Sequence, residues 1–366
     1  MNILITGSNG FVGKNLISEL YNRGFQNIYK VTRETNDEQL ENYCEDASIV
    51  FHLAGTNRST NNQDFEDGNV GFTNKLLNSL KKTNNKCPVI FTSSIQANLD
   101  NEYGISKRKA EKALLLHSEQ NKSKVQIYRV PNVFGKWSKP NYNSVIATFC
   151  YNISRDIPII INDSTSKMKL IYIDDLVNII IKNMNKDTDK VIEIEKYYEK
   201  TVKEIAELLK KFKVMRMEKF ISNVENEFEK RLYSTFLSYL PTNDLSVEAK
   251  MNIDDRGSFT ELFKTVDRGQ VSINISKPGI VKGNHWHHTK NEKFVVVSGE
   301  GIIRFRRYGE DEVIEYKVNG NKIEIIDIPV GYTHNIENIG VNDLVTVMWV
   351  NEIFDKEKPD TYFLEV

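Results

Sequence analysis

A chain of 366 residues is too long for one ordinary core, so about two domains are expected. With 40% hydrophobic and 27% charged residues the composition is that of a globular protein in water, and a formal net charge of -1 excludes a general electrostatic attraction to nucleic acid or an anionic membrane. No apolar run reaches the ~18 residues that a membrane helix needs.

Ile3-Leu4-Ile5-Thr6 reads as a short buried strand. It runs into Gly7-Ser8-Asn9-Gly10-Phe11-Val12-Gly13 and then a helix with Leu16, Ile17 and Leu20 on one side. Strand, glycine turn and helix is the context that a dinucleotide fingerprint requires. Gly7, Gly10 and Gly13 allow a tight turn and close approach to a pyrophosphate, and the helix N-terminus offers it free N–H groups. The N-terminus lacks the charged n-region and cleavage site of a signal peptide. Cys44, Cys87 and Cys150 are odd in number and scattered. A disulfide framework is therefore not expected, and a reducing cytoplasm is the expected compartment.

Further strands follow at α/β spacing: Ile28–Val31, a run from Ile49 to Gly55, Val89–Ser94 and Val125–Val130. Alternation with helical stretches argues a doubly wound parallel sheet. The second strand ends at Val31-Thr32-Arg33, without the carboxylate that usually accepts from the ribose 2′-hydroxyl of NAD. This favours NADPH, with Arg33 on its 2′-phosphate, although Glu34 is adjacent and Arg33 also fits an ordinary surface arginine.

Tyr103 and Lys107 are four apart and share a helix face. A lysine ammonium there favours an ionised phenol, and a tyrosine so tuned can pass a proton to a carbonyl oxygen as hydride arrives at its carbon. Ser94, at a strand end, is placed to hydrogen-bond the same oxygen. YxxxK by itself equally describes a solvated helix face. Its order after a glycine turn and a strand ending in Ser is what makes Ser94, Tyr103 and Lys107 the expected catalytic set.

These residues, with His52-Leu53-Ala54-Gly55, Asn69 and Arg129-Val130-Pro131-Asn132-Val133-Phe134-Gly135, resemble the extended short-chain dehydrogenase/reductase family over residues 1–240 or so. The resemblance implies a Rossmann-like fold, an NAD(P) cofactor held in part by Lys107, and often a nucleotide-sugar substrate near residues 129–135.

Thr201 and Glu204 form a capping-box start to a helix with Ile205, Leu208, Leu209 and Phe212 on one face, a packing pattern. Pro241 ends an aromatic-rich stretch. The expected domains are 1–246 and 253–366, with the boundary near 241–252.

From residue 253 the pattern becomes β: Gln270–Ser276, Lys293–Val297, Gly301–Arg306, Val313–Val318, Lys322–Ile328 and Leu344–Trp349. Such spacing argues an all-β sandwich or barrel. Four of the six histidines fall in this last third. Gly279-x5-His285-x-His287-x4-Glu292-x6-Gly299 is followed by Pro329-x-Gly331-x2-His334-x3-Asn338. On a strand His285 and His287 share a face, and Glu292 and His334 can join them from later strands. Imidazole and carboxylate suit Zn²⁺, Fe²⁺, Ni²⁺ or Mn²⁺.

The two motifs resemble those of the cupin family, a small jelly-roll barrel with a central metal. The departure is Ile323, where the family has a glycine. The resemblance implies that His285, His287, Glu292 and His334 bind the metal.

The fusion of the two resembles the bifunctional reductase–cupin enzymes of capsular polysaccharide synthesis. That implies Zn²⁺ and a cupin that epimerises C3 of a UDP-2-acetamido-2,6-dideoxy-4-hexulose. The reductase would then use NADPH on C4 to give a UDP-N-acetyl-6-deoxy-talosamine, toward N-acetyl-L-fucosamine, in a homo-oligomer, expected to be a dimer. The alternative reading keeps an NADPH-dependent 4-ketoreductase and makes the cupin a structural or dimerisation module. Four protein ligands are also the count of a closed structural zinc site.

Overall fold

The computed structural model describes residues 1–186, 190–223 and 225–366. They form two compact units, Met1–Lys211 with the stretch ending at Pro241, and Phe212–Asn223 with Thr242–Val366. The expected boundary near 241–252 does not account for residues 212–223, which count with the second unit. There the backbones of Lys219 and Ile221 exchange hydrogen bonds with Lys264. Among the described residues no helix is long and apolar enough to cross a membrane.

The first unit contains β1 (Ile3–Thr6), β2 (Ile28–Val31), β3 (Ile49–His52), β4 (Val89–Ser94), β5 (Val125–Val130), β6 (Asn132–Phe134), β7 (Lys167–Tyr172), β8 (Lys190–Glu193) and β9 (Tyr198–Thr201). Six of these make a sheet in the order β2-β1-β3-β4-β5-β8, parallel throughout. Side chains alternate across it. Ile3 and Ile5 enter a core with Leu16 and Leu20 of the helix Phe11–Asn22, while Leu4 enters the opposite core with Leu76, Leu80 and Leu114. Burial on both faces is why these strands read as continuous apolar runs. β6, β7 and β9 form a small separate sheet. Thr201 and Glu204 do close a reciprocal capping box, at 2.7 and 3.1 Å, on the helix Val202–Met217.

The second unit is antiparallel. Its strands are β10 (Met251–Asp254), β11 (Gly257–Lys264), β12 (Gln270–Ser276), β13 (Val281–Trp286), β14 (Glu292–Ser298), β15 (Glu300–Arg307), β16 (Val313–Asn319), β17 (Ile325–Ile328), β18 (Tyr332–Asn338), β19 (Leu344–Val350) and β20 (Tyr362–Phe363). They form two sheets, β10-β11-β12-β19-β14-β17 and β16-β15-β18-β13-β20. This is the cupin-like barrel. Phe294, Val296, Ile303, Phe305, Ile336 and Leu344 fill one part of its interior. Glu292 lies on the same face of β14 as Phe294 and Val296, and His334 on the same face of β18 as Ile336. The inner face therefore passes from hydrocarbon to metal-ligand chemistry within two residues on each strand.

Candidate active sites

In the first unit the glycine turn leaves β1 at Gly7, with φ +67°. A Cβ there would lie 2.8 Å from the backbone nitrogen of Ala54, and one at Gly13 would lie 2.4 Å from the carbonyl oxygen of Gly7. Both contacts are too close for a side chain, so the tight approach of backbone to backbone demands glycine at these positions. A phosphate cradle of this kind fits a dinucleotide. Gly7, Gly10 and Gly13 line a cavity of about 750 Å³ together with Ser94, Tyr103 and Lys107. The structure thus brings six of the seven residues expected for cofactor and catalysis to one cavity.

Arg33 is the seventh and does not line it. It is exposed in the turn after β2. That turn is tied to the glycine loop, because the carbonyl of Val31 accepts from both the backbone N–H and the hydroxyl of Ser8, at 3.4 and 3.1 Å.

Lys107 is buried, and its amine donates to the carbonyl of Thr92 at 2.8 Å and lies 4.2 Å from the centre of the Phe91 ring. Burial lowers its pKa to about 7, against an upward pull from Glu111. Burial likewise raises the Tyr103 phenol, while its hydrogen bond with Ser94 pulls down. At Tyr103 desolvation outweighs the hydrogen bond with Ser94, and at Lys107 it outweighs the charge of Glu111, so the expected lowering of the phenol by Lys107 is not what governs it.

A buried network lies behind the cavity and joins His52 and Asn69 to Thr6, Thr73 and Ser106. The Thr6 hydroxyl accepts from the N–H groups of Leu53 and Ala54, both at 3.1 Å, so its own proton goes to Nδ1 of His52 at 2.8 Å. Nε2 of His52 then donates to Thr73 Oγ1 at 2.8 Å, and Thr73 donates to the carbonyl of Asn69 at 2.5 Å. The network assigns the Nε2–H tautomer. Burial pushes His52 down to about 3, so it is neutral. Asn69 in turn bonds Thr56 in both directions and donates to Ser106 on the Tyr103 helix at 2.9 Å. The chain of bonds fixes the glycine turn, the end of β3 and the Tyr103 helix relative to one another. His52 and Asn69 stand among the residues that carry the family resemblance, but nothing in the sequence shows that they join Thr6, Thr73 and Ser106 in one network.

The stretch 129–135 is divided. Val130 to Val133 line the cavity, with Trp137 and Tyr142 beyond them. Arg129 turns away to a half-buried ion pair with Glu111 at 2.7 Å.

In the second unit His285, His287, Glu292 and His334 offer ligand atoms that all lie within 4.8 Å of one another. Nε2 of His334 and of His287 stand 3.2 and 3.6 Å from Oε2 of Glu292. These three atoms are buried and have no hydrogen-bond partner. Buried polar atoms are rarely left so, and a divalent cation is the partner that a His3Glu set fits. Burial alone would raise the Glu292 carboxyl, but the nearness of the His287 and His334 imidazoles outweighs it and holds it well below its usual range.

The ligands come from both sheets, His285 and His334 opposite each other on β13 and β18, and Glu292 on β14. Trp286, between the two histidines, points the other way into an aromatic set with Tyr308 and Tyr362. Nδ1 of His287 donates to the main-chain carbonyl of Asp360 at 2.5 Å, which leaves Nε2 for a metal. The Asp360 carboxylate accepts from the N–H groups of His288, Thr289 and Lys290 at 2.9–3.0 Å. Sequence reasoning missed Asp360, which lies 73 residues from His287 and outside both motifs. The cluster opens on a cavity of about 670 Å³ inside this unit, lined also by Lys282, Asn274, Asp254 and Arg256.

A model of the NAD dependent epimerase/dehydratase family matches residues 3–194, more than half of the chain. The chain belongs to this family. Residues 252–362 match a polysaccharide biosynthesis C-terminal domain. Among curated relatives, a UDP-2-acetamido-2,6-beta-L-arabino-hexul-4-ose reductase of Pseudomonas aeruginosa is 43% identical over 100% of this chain and 99% of its own. Among solved structures, the capsular polysaccharide assembling protein CapF of Staphylococcus aureus is 52% identical with a TM-score of 0.94, covering 100% of both chains. A UDP-glucose 4-epimerase of Thermotoga maritima, 21% identical with a TM-score of 0.57, covers 65% of this chain and 98% of its own and shares the fold of this epimerase/dehydratase member.

Proposed function

We propose that this chain is a bifunctional nucleotide-sugar enzyme of capsular polysaccharide precursor synthesis. Its cupin unit epimerises C3 of UDP-2-acetamido-2,6-dideoxy-4-hexulose, and its first unit reduces the C4 ketone to UDP-N-acetyl-6-deoxy-talosamine, on the route to N-acetyl-L-fucosamine. The proposed cofactors are NADPH and Zn²⁺, and the proposed assembly is a homodimer. The observation that carries the reading is that one chain holds two separate cavities of complementary chemistry. One has Ser94, Tyr103 and Lys107. The other has a four-ligand cluster. Similarity from end to end to a UDP-hexulose reductase supports it.

Gly7, Gly10 and Gly13 would hold the pyrophosphate, with Arg33 near the 2′-phosphate. The bound nicotinamide supplies a hydride. Ser94 Oγ donates a hydrogen bond to the C4 carbonyl oxygen and orients it. Tyr103 Oη gives that oxygen its proton, because a buried, neutral phenol is a proton donor and not a base. Lys107, anchored on the Thr92 carbonyl, would help to hold the cofactor.

In the cupin cavity His285, His287, Glu292 and His334 would hold the metal, which when bound supplies Lewis-acid stabilisation of an oxyanion. A ketone acidifies the C–H beside it, so epimerisation at C3 is the natural partner of reduction at C4. Four protein ligands also suit a closed structural site. The cavity beside the cluster, large enough for a sugar, favours catalysis.

The test is NMR of the UDP-4-keto-6-deoxy-N-acetylhexosamine in D₂O with the intact protein and no NADPH. Deuterium entering at C3, and lost in His285→Ala, supports the epimerase. Absence of exchange with normal reduction on adding NADPH leaves a one-step 4-ketoreductase with a structural cupin.

A further inference from the structure

Lys282 and His285 are three residues apart, and on a regular strand an odd separation puts side chains on opposite faces. Here they share a face. The register of β13 against β18 pairs Lys282 with Ile336, Gly283 with Asn335 and His285 with His334, so Asn284 is an extra residue. It has φ +58°, and Gly283 has φ +111° with no room for a Cβ, which would meet the His334 carbonyl oxygen at 2.8 Å. This is a β-bulge, a device that re-aims side chains. Ile336 and His334 both face the barrel interior, so their partners Lys282 and His285 do too, and all four line the same cavity.

The Lys282 amine is held firmly. It meets two acceptors, Asn274 Oδ1 and the carbonyl of Ile275, each at 2.8 Å. A neutral amine satisfies both with its two N–H bonds and keeps its lone pair for a third direction. An ammonium would need a third acceptor. Burial lowers its pKa, Asp254 pulling up and Arg256 pulling down. Of the elements packed against it, β12 presents neutral Asn274, β18 presents Ile336, and the β10–β11 turn presents the compensating pair Asp254 and Arg256. Among the described residues no carboxylate forms an ion pair with the amine, whose contacts are Asn274 Oδ1 and the Ile275 carbonyl.

We propose that Lys282 is the base that removes the proton at C3 in the cupin cavity. The inference rests on the epimerase reading of that cavity. The Nζ lone pair forms an N–H bond as the C3–H bond breaks. The C–H electron pair becomes the C3–C4 double bond, and the carbonyl π pair moves to oxygen as an enolate. Solvent then adds a proton to the opposite face of C3, the electron flow reverses, and the ammonium returns its proton to water. No electron is gained or lost overall.

The experiment uses the full, metal-loaded chain and follows deuterium entry at C3 of the UDP-4-keto-6-deoxy-N-acetylhexosamine in D₂O without NADPH. In Lys282→Met the exchange should fall by roughly 10²-fold or more, the usual contribution of a positioned base. Metal content and thermal midpoint should match wild type, and substrate affinity by calorimetry should stay within about threefold of it. Lys282→Arg, which keeps a cation that does not deprotonate, should lose exchange equally. The wild-type rate should rise with pH toward the amine's pKa, and this limb should vanish in the methionine variant. Exchange by Lys282→Met near the wild-type rate, or restoration by arginine, overturns the base while leaving the epimerase standing. Absence of exchange in the wild type sinks the epimerase reading itself, and the base with it. Should the methionine variant lose metal or fold, the arginine variant carries the test.

Discussion

Asp360→Asn isolates the support of the metal cluster from its ligands. Asparagine keeps the size of the side chain and tolerates the φ of +37° at this position. The carboxylate accepts four hydrogen bonds, from the N–H groups of His288, Thr289 and Lys290 and from the Thr289 hydroxyl. An amide oxygen accepts two at most, and its NH₂ faces the remaining donors. At least two charge-assisted bonds are lost. A bond to a charged group contributes about 1.5–3 kcal/mol when buried, and partial exposure reduces this to about 1 kcal/mol each. The sum, about 2 kcal/mol, corresponds to roughly 30-fold in an equilibrium constant. These bonds hold the turn after His287 against residue 360, whose carbonyl orients the His287 ring. Zn²⁺ affinity, measured by chelator competition at neutral pH, should therefore fall about 30-fold, within the range expected for an outer partner of a ligand. Affinity within about twofold of wild type would refute the reasoning. Because these donors hold the Asp360 carboxyl well below its usual range, its support is fully present above the unfolded carboxylate range. It is lost only as pH falls through the depressed value.

Other outcomes are expected. Tyr103→Phe should lower NADPH oxidation by at least about 10²-fold while leaving C3 exchange in D₂O unchanged; loss of both would contradict separate sites. Burial lowers the Lys107 amine to about 7, from 10.5 for a lysine in water. Between those values the unfolded chain binds the extra proton, so stability rises with pH and is lost as pH falls toward 7. The stability difference between wild type and Lys107→Met, from denaturant titrations at several pH values, should change in that sense, and a flat difference would show that the amine is not desolvated. Arg33→Ala should raise KM for NADPH roughly tenfold, in line with loss of one charged contact, and leave KM for NADH unaltered. Equal effects on both cofactors would remove Arg33 from the 2′-phosphate.

Much of the fold is legible in the amino-acid order because periodicity reports burial directly. Ile3–Thr6, Val89–Ser94 and Val125–Val130 are strands with the expected bounds, since strands buried on both faces admit little but apolar residues. Gln270–Ser276 is likewise recovered, from alternation. The expected strand Lys322–Ile328 shortens to Ile325–Ile328, because residues 319–322 form a turn held by the Asn319 side chain. β10 and β11 were not legible. β10 is exposed along its length and shows no burial pattern to read.

The quartet His285, His287, Glu292 and His334 is visible in sequence because the residue types that could hold a metal are few and the strand period restricts their spacing. Nothing local marks Asp360 or Thr73, since each acts through a partner far along the chain or one turn away in a helix that also packs. Parity is the sharpest limit. By sequence alone Lys282 belongs on the face opposite His285, and only the extra residue at Asn284 in the pairing with β18 turns it inward. Sequence thus determines which chemistries the chain carries. Tertiary register determines which of its side chains meet, because a strand's pairing partner, and a single inserted residue in it, is a property of two distant segments at once.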